Sequence, residues 1–385
     1  MSRPSNALHR KPVLISHPAF SQRGFGDHHP LSIMRHEAFL RVCASLGWLD
    51  GRDIREAPLA DRELLARFHC TSYLDALETS ARTRIVQPEI RARYNLGSME
   101  CPVFEGLWER VCATVGGSIF AADLALEGYL PFHPGGGTHH GRPDRASGFC
   151  YSNDPVYAIL RLLDAGLEGV LYIDLDAHHG DGVESTFAED PRVHLVSFHE
   201  EGRWPRSGTL KDAHGPRTIN VPLPRNINDS EYLYVFQEVS KRRLRGREFD
   251  AVVITCGADI LSGDPLTSTN VSNAALAAAV TACIKLSGRA ILLGGGGYNP
   301  WNTARLWAKL WADLNDFAIP AILPQSTTDI LASLSCDLID ESDFNSAWLT
   351  TLSDPSRPGG IRAVCRARVV EACPPPDLRA SSSAR

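Results

Sequence analysis

The segment from Val170 to Gly182 constrains the fold most, because an apolar run changes there into acids and imidazoles. Its first residues, Val-Leu-Tyr-Ile, predict a fully buried strand. Charged residues that follow such a strand lie where parallel α/β sheets place their ligand crevices. Asp176 and His178 are two residues apart, so on an extended chain their side chains point to the same side. This spacing suits two ligands of one metal ion and is uncommon in a solvated acidic loop.

Other apolar runs of the chain also end in polar or glycine-rich segments. Strands are predicted at 13–16, 193–198, 251–255 and 290–293, and helical periodicity occupies 34–47, 103–130, 154–165 and 273–286. Strands that alternate with helices predict an α/β fold with a central, mostly parallel sheet flanked by helices. The loops at the carboxyl ends of the strands are therefore expected to meet at one rim and to form the active site there.

The 385 residues could hold one large domain or two, but 13–320 contains no linker and no internal repeat. We predict a loose N-terminus over 1–12, one folded domain over 13–370 and a disordered tail over 371–385, which is rich in Pro, Ser, Ala and Arg. Residues 321–370 are ambiguous and are expected to close the fold with a helix and a strand.

Charge and cysteine usage bound the class of protein. A net charge of −6 argues against a nucleic-acid binder. The ten cysteines include no C-x-x-C pair, so a structural zinc knuckle is not expected. The first residues lack the apolar stretch of a secretory signal, and no apolar run reaches membrane-spanning length. These features predict a protein of the reduced cytoplasm with neither a nucleic-acid nor a membrane partner.

Polar chemistry is concentrated in four of the predicted rim segments, which are His139-His140, 174–181, 259–264 and Tyr298. Three protein ligands with an open fourth position are the catalytic arrangement of zinc. Such an ion activates water and polarises a carbonyl, and a nearby imidazole serves as general base and acid. A phenol can donate a hydrogen bond to the oxyanion of a tetrahedral intermediate. These are the components needed to hydrolyse an amide.

The chain resembles the zinc-dependent histone deacetylase family, in its bacterial type, whose relatives include acetylpolyamine amidohydrolases and, more distantly, arginases. The resemblance covers about residues 13–315 and is specific because six segments occur in order. These segments are 136–140, 148–154, 174–182, 197–199, 257–265 and 294–298. The resemblance implies a single-domain arginase/deacetylase-like fold, with 13–370 as the catalytic domain.

The resemblance also implies the metal ligands. Asp176, His178 and Asp264 would bind one catalytic Zn²⁺. Backbone carbonyls of Asp174, Asp176 and His178, with the Asp174 carboxylate and the Ser197 hydroxyl, would hold a structural K⁺. Asp259 is expected to be a structural carboxylate.

The implied catalytic groups are two histidines and a tyrosine. His139 and His140 would flank the attacking water, with Asp174 and Asp181 as their respective carboxylate partners. His140 would be the principal general base. Tyr298 would polarise the acyl carbonyl, and the four glycines before it would let the backbone pass close to the metal.

The substrate residues follow from the same resemblance. Phe149 and Trp204 would form opposite walls of an acyl-lysine tunnel, and the Gly148 carbonyl would accept the substrate's amide N–H. Glu100 would grip the substrate backbone, and Arg35 would lie beside an internal product channel. The implied partners are an acyl-lysine protein or peptide or a small N-acyl amine, together with a second copy of the chain in a homo-oligomer.

Other functions remain open. An acetylpolyamine amidohydrolase would need an acid at the tunnel mouth; Val271 argues against it, whereas Glu100, Glu200 and Glu201 keep it open. An arginase-like ureohydrolase would need a second metal, with ligands around Asp259 and His139. An inactive acyl-lysine binding scaffold is disfavoured because the metal triad, the His pair and Tyr298 are all present.

Overall fold

The computed structural model describes residues 10–212 and 217–373. Its strands form a single eight-stranded sheet in the order β2-β1-β3-β8-β7-β4-β5-β6, and every pairing is parallel. In chain order the strands are β1 (Pro12–Ser16), β2 (Ile54–Glu56), β3 (Leu130–His133), β4 (Val170–Asp174), β5 (Val193–Glu200), β6 (Thr218–Leu223), β7 (Ala251–Thr255) and β8 (Ala290–Leu293).

Helices connect the strands and cover both faces of the sheet. In chain order they are α1 (Arg35–Ser45), α2 (Arg62–Leu65), α3 (Thr71–Thr83), α4 (Pro88–Tyr94), α5 (Leu107–Leu126), α6 (Asp154–Asp164), α7 (Asp181–Phe187), α8 (Asp229–Arg243), α9 (Asn273–Ile284), α10 (Pro300–Leu314), α11 (Gln325–Ala332), α12 (Ala347–Thr350) and α13 (Ala363–Ala372).

The central strands are apolar throughout because both of their faces are buried. Leu171 and Ile173 of β4 belong to a hydrophobic cluster that includes Trp307 of α10. Val170 and Tyr172, the alternate residues of the same strand, belong to a second cluster on the opposite face, which includes Ile159 of α6. This sandwiching of a parallel sheet between helices explains the uninterrupted apolar runs in the sequence. The reactive residues are therefore attached to a fully packed scaffold.

The sequence analysis located five of the eight strands and missed β2, β3 and β6. The stretch 103–130 was predicted to be helical, but α5 stops at Leu126 and β3 begins at Leu130. Strand β2 has only three residues, none of them buried. Residues 321–373 form α11, α12 and α13, and no strand occurs among them, so the strand expected in 321–370 was wrong.

The domain limits predicted from the sequence remain a proposal. Helix α13 extends through Ala372, so it includes the first residues of the tail expected over 371–385. Cys365 and Val369 of this helix are fully buried in the core. Residues 1–9 of the expected loose N-terminus, and 374–385 of the expected tail, lie outside the described residues. Within the described ranges, no helix combines the length and the apolar character needed to cross a bilayer.

The buried His36 of α1 is expected to make the free energy of unfolding depend on pH. The residue is 3% exposed, and burial, followed by the charges of His133, Arg110 and Arg35, lowers its pKa to about 3. Because the unfolded state then binds more protons than the folded state below the ordinary pKa of about 6.5, stability falls as pH decreases there. We expect His36 to contribute about 1.4 kcal/mol of this loss per pH unit between about pH 6.5 and 4.5.

Urea denaturation of the metal-free protein at several pH values would measure this slope. In His36→Asn, which cannot titrate, the dependence of the unfolding free energy on pH should be shallower by that amount. Equal slopes in the two proteins would show that His36 does not contribute.

Candidate active site

The four rim segments come together because they follow four neighbouring strands. Strands β3, β8, β7 and β4 are consecutive in the sheet. Their carboxyl ends lead into 134–140, 294–298, 256–264 and 175–181, respectively. Since the carboxyl ends of parallel strands lie at one edge, loops far apart in sequence meet there. The predicted convergence on one rim is thus seen in the fold.

The loop that carries the histidine pair is held by a buried carboxylate that the sequence reasoning did not single out. Asp154 accepts hydrogen bonds from the backbone N–H groups of Gly137 at 2.9 Å and Thr138 at 2.7 Å. The Ser118 hydroxyl donates to the same carboxylate at 2.5 Å. Asp154 itself is fully buried at the start of α6. The Thr138 hydroxyl is a fourth donor to this carboxylate, and together these bonds fix the backbone immediately before His139.

Each histidine of the pair is backed by the carboxylate that the resemblance assigned to it. His139 Nδ1 lies 2.7 Å from Asp174 Oδ2, and His140 Nδ1 lies 2.8 Å from Asp181 Oδ1. Arg142 also bonds to the Asp181 carboxylate. A carboxylate at Nδ1 holds a proton on that nitrogen, so Nε2 is the acceptor in whichever ring is neutral.

The two imidazoles lie too close to carry two charges together, since their centroids are 3.9 Å apart. Burial alone would lower the pKa of His139, but the charges of Asp174 and Asp176 outweigh burial and raise the pKa to about 9. Burial, followed by the charge of His139, lowers the pKa of His140 to about 3. His140 is therefore the neutral imidazole of the pair, the form that accepts a proton.

Three buried side chains could hold a metal ion. Asp176, His178 and Asp259 each offer one ligand atom, and these atoms lie within 4.8 Å of one another. His178 Nδ1 lies 2.9 Å from Asp259 Oδ2 and 3.3 Å from Asp176 Oδ1. Asp259 lies in a short 3-10 helix directly after β7. Among the described residues this is the single group of that kind.

The group differs from the predicted trio in its third member. Asp264 is not among these three residues, and backbone N–H groups engage its carboxylate. Oδ2 of Asp264 accepts from Tyr298 at 2.7 Å and from Asn299 at 3.3 Å, and Oδ1 accepts from Leu266 at 3.0 Å. Asp259, which was expected to be structural, takes the place near His178. Asp264 as the third zinc ligand stays a prediction.

The charge balance of the site fits a divalent cation. Burial and the repulsion of Asp176 raise the pKa of Asp259 to about 6. Burial and the repulsion of Asp259 raise the pKa of Asp264 to about 8. Carboxylates crowded together away from water are stabilised when a cation offsets their charge. The donor set of carboxylate oxygens and one imidazole nitrogen also matches catalytic zinc.

The predicted substrate residues line one cavity with the reactive groups. This cavity of about 350 Å³ is lined by Glu100, His140, Gly148, Phe149, His178, Arg203, Trp204, Leu266 and Tyr298. The Trp204 ring lies 4.6 Å from that of His140, and the Phe149 ring lies 5.7 Å from that of Tyr298. Arg203 and Leu266 were not predicted from sequence.

Glu100 and Gly148 contact each other across the cavity wall. Glu100 Oε1 accepts from the Gly148 N–H at 2.5 Å, and Oε2 accepts from Asn95 Nδ2 at 2.7 Å. The Gly148 carbonyl oxygen lies 3.3 Å from the Cys150 thiol, which is a weak donor. The carbonyl therefore remains able to accept a stronger donor.

A side chain at position 148 is expected to lower the activity, because Gly148 contacts the cavity residues closely. Its φ of +54° lies in the left-handed region, and an added Cβ would lie 2.6 Å from His140 Cδ2 and would overlap the Trp204 ring. We expect Gly148→Ala to lower kcat/KM by about 10-fold or more, since displacing the aligned His140 disturbs proton transfer. Steady-state kinetics would measure it, with Gly166→Ala as the control. Gly166 has a similar positive φ of +86° but open space around it. Equal losses in the two variants would contradict the prediction.

The residues expected at the cavity mouth lie elsewhere, with one exception. Val271 is fully buried beside Leu261, so its apolar character says nothing about a mouth. Glu200 is buried and paired with Arg203, and Glu201 is paired with Arg368. Glu100 is left as the one glutamate of this set in the cavity lining.

Arg35 lies behind the glycine run. Its guanidinium donates to the carbonyls of Gly295 at 2.9 Å and Gly297 at 3.2 Å. It also lines a second cavity together with Thr138 and Phe149. Arg35 thus stabilises the backbone that leads to Tyr298, while the product channel stays a prediction.

Solved structures place this fold in the arginase/deacetylase-like α/β class. An HDAC homologue from Aquifex aeolicus superposes with a TM-score of 0.90 at 31% identity, covering 94% of this chain and all of the other. A structure of an HDAC homologue complexed with SAHA gives 0.89 at 30% identity, covering 94% and 99%.

The amino-acid sequence is similar to one family within this class. The pattern of the histone deacetylase domain matches residues 29–314. Histone deacetylase 1 of Oryza sativa subsp. japonica is 38% identical over 292 residues, or 74% of this chain and 56% of the relative. Histone deacetylase RPD3 of Saccharomyces cerevisiae is 35% identical over 309 residues, or 78% and 71%. The chain belongs to the histone deacetylase family, and it spans little more than half the length of the plant relative.

Proposed function

We propose that this chain is a metal-dependent amidohydrolase that removes an acetyl or related acyl group from a lysine side chain. Membership of the histone deacetylase family supports deacetylation. The observation that carries the proposal is the carboxylate-backed His139-His140 pair beside the Asp176–His178 group, in one cavity with Tyr298. The reaction adds water across the amide and yields a free amine and a carboxylate.

His140 is proposed as the general base. Its Nδ1 is engaged by Asp181, so Nε2 would take a proton from the attacking water and later deliver it to the leaving amine. His139, at a raised pKa, would contribute positive charge beside the developing oxyanion. Tyr298 would donate its phenolic hydrogen bond to that oxyanion. Asp174 and Asp181 would orient the two rings.

Asp176 and His178 would hold the ion, with Asp264 as the third ligand that the resemblance implies. Lewis acidity toward the acyl carbonyl and the water is the chemistry that a bound Zn²⁺ supplies. The zinc content of two variants would show whether Asp264 or Asp259 is the third ligand. If Asp264 is the ligand, Asp264→Asn should lose zinc and Asp259→Asn should keep most of it; the reverse result would transfer the role to Asp259.

Substrate binding is assigned to the cavity walls. Phe149 and Trp204 would flank the methylene chain of the acylated lysine, as flat apolar faces that exclude water. The Gly148 carbonyl would accept the substrate's amide N–H. Glu100 would hold the backbone of a peptide substrate at the mouth.

A small N-acyl amine is the second candidate substrate. Glu100 lines the cavity and carries a charge that could attract the distal ammonium of an acetylpolyamine. An arginase-like ureohydrolase or an inactive scaffold has less support, since the described residues offer one metal group and retain the full catalytic set.

Kinetics would test the proposal directly. We expect turnover of an acetyl-lysine peptide that depends on added Zn²⁺ after chelation, and inhibition by SAHA. A preference for acetylputrescine would reassign the substrate, whereas turnover of arginine with two metal ions per chain would reassign the class. Failure to cleave any N-acyl amine would reject the proposal. The structural K⁺, the cytoplasmic location and the homo-oligomer are proposed on the resemblance and sequence composition alone.

A further inference from the structure

A buried polar cluster lies beneath the loop that carries Trp204. Glu184 of α7 is 5% exposed. Its Oε2 lies 2.8 Å from His179 Nε2 and 2.9 Å from Asn220 Nδ2. The other ring nitrogen of His179, Nδ1, lies 2.9 Å from Ser207 Oγ. The cluster therefore connects α7 and β6 to residues 201–209, which we call the tryptophan loop.

The chemistry of the partners fixes the direction of these hydrogen bonds. An ionised carboxylate only accepts, so His179 Nε2–H donates to Glu184. In the neutral imidazole, Nδ1 is then an acceptor, and the Ser207 hydroxyl donates to it. The Asn220 amide holds the same carboxylate oxygen from the strand side. Glu184 thus orients His179, and Nδ1 of the ring accepts from Ser207 of the loop.

A second histidine supports the next residue of the loop. His199 Nε2 donates to the Gly208 carbonyl at 2.9 Å, and its Nδ1 accepts from Ser197 Oγ at 2.8 Å. The His179 and His199 rings are 4.7 Å apart. A Cβ on Gly208 would lie 2.6 Å from atoms of both rings, and its φ is +75°. The loop thus rests directly on two imidazoles, which only glycine permits.

Trp204 itself packs against Gly148 and His140 in the cavity wall rather than in the core. Its side chain is 40% exposed, and its ring meets the His140 ring edge-on at 4.6 Å. On the N-terminal side the loop is tied by the ion pair between Arg203 and Glu200 at 2.8 Å, by the hydrogen bond from Arg203 to Ser268 Oγ at 2.8 Å and by the ion pair between Glu201 and Arg368. On the C-terminal side the ties are Ser207 and Gly208. The position of Trp204 therefore depends on these anchors rather than on packing in the core.

We propose that His179 is a positioning residue that holds the tryptophan loop through Ser207 and thereby sets which acyl groups the cavity accepts. The inference rests on the proposed function, since it assigns acyl selectivity to the same cavity. Losing the anchor would leave the metal group and the His139-His140 pair in place. It would let Trp204 move away from His140 and widen the channel.

The test uses Ser207→Ala in the full, zinc-loaded chain. Hydrogen exchange of the backbone over 200–210 should become faster than in the parent protein. For an acetyl-lysine peptide KM should rise about three- to tenfold, the equivalent of one lost hydrogen bond, while kcat stays within about twofold. The ratio of kcat/KM for hexanoyl-lysine to that for acetyl-lysine should rise by a similar factor.

Three further variants separate positioning from general damage. Thr209→Ala is the matched control, because it removes an exposed hydroxyl of the same loop whose contact is the Lys211 N–H. Ser207→Thr keeps the hydroxyl and should restore the parent behaviour. In a Trp204→Ala background, Ser207→Ala should change selectivity no further, because the group it positions is gone.

Faster exchange together with the KM and selectivity changes supports the proposal. Unchanged exchange over 200–210, or selectivity effects that add to those of Trp204→Ala, would overturn it. If the parent protein cleaves no N-acyl lysine at all, the proposed function fails. Faster exchange in Ser207→Ala alone would then still support the anchoring of the loop by His179.

Discussion

Tyr298→Phe is expected to lower kcat by about 10²–10³-fold with little change in KM, as is typical when one oxyanion donor is removed. The substitution keeps the ring that contacts Phe149 and removes only the hydroxyl. Substrate binding should therefore persist, while the transition state loses a hydrogen bond in a buried, low-dielectric site. Steady-state kinetics with an acetyl-lysine peptide would measure both constants.

Tyr234→Phe serves as the control for this variant. Tyr234 lies on α8, where its ring contacts Arg366 rather than the cavity. Its loss of a hydroxyl should leave kcat within about twofold, since substitutions away from a site change little. A Tyr298→Phe enzyme with the kcat of the parent would remove Tyr298 from the mechanism.

Asp176→Asn is expected to abolish zinc binding at working concentrations and, with it, more than about 99% of the activity. Loss of a residue that only supports a ligand typically lowers metal affinity about 10–100-fold, and loss of a charged ligand itself is expected to lower it much further. The neutral amide is a poorer ligand, and it would also face the Gly296 N–H, which now donates to Asp176 Oδ2 at 2.6 Å. Elemental analysis after dialysis against limiting zinc would give the metal content per chain.

Asp313→Asn is the matched control for metal loss. Asp313 lies on the surface of α10 and pairs with Lys309 at 2.9 Å. That variant should retain the parent's zinc, because exposed pairs contribute little to structure or charge at a distance. Full zinc occupancy in folded Asp176→Asn protein would exclude Asp176 as a ligand.

The sequence predicted the parallel architecture because fully buried strands leave a strong apolar signal. It also named the cavity residues Phe149, Trp204 and Glu100, which the resemblance supplied. Spacing alone could not decide between Asp259 and Asp264. They lie on one loop, where Asp259 approaches His178 and Asp264 accepts from the backbone N–H groups of Tyr298 and Asn299.

Features that depend on contacts between distant residues were out of reach. Asp154 and Ser118 are 36 positions apart, and both support the histidine loop. Glu184 and Asn220 are equally far apart and meet beneath the tryptophan loop. No local pattern marks such pairs. Strands β2 and β6 lie at the ends of the sheet order, and both were missed.

The division between a rigid interior and peripheral loops has an evolutionary consequence. The groups proposed to cleave the amide bond follow the buried central strands of the sheet. Trp204 and Glu100 belong to segments outside those strands. Descendants of such a protein could acquire new preferences by exchanging short surface stretches, without rebuilding the chemistry. Replacing residues 200–210 with the corresponding loop of a relative that prefers other substrates would reproduce this step experimentally.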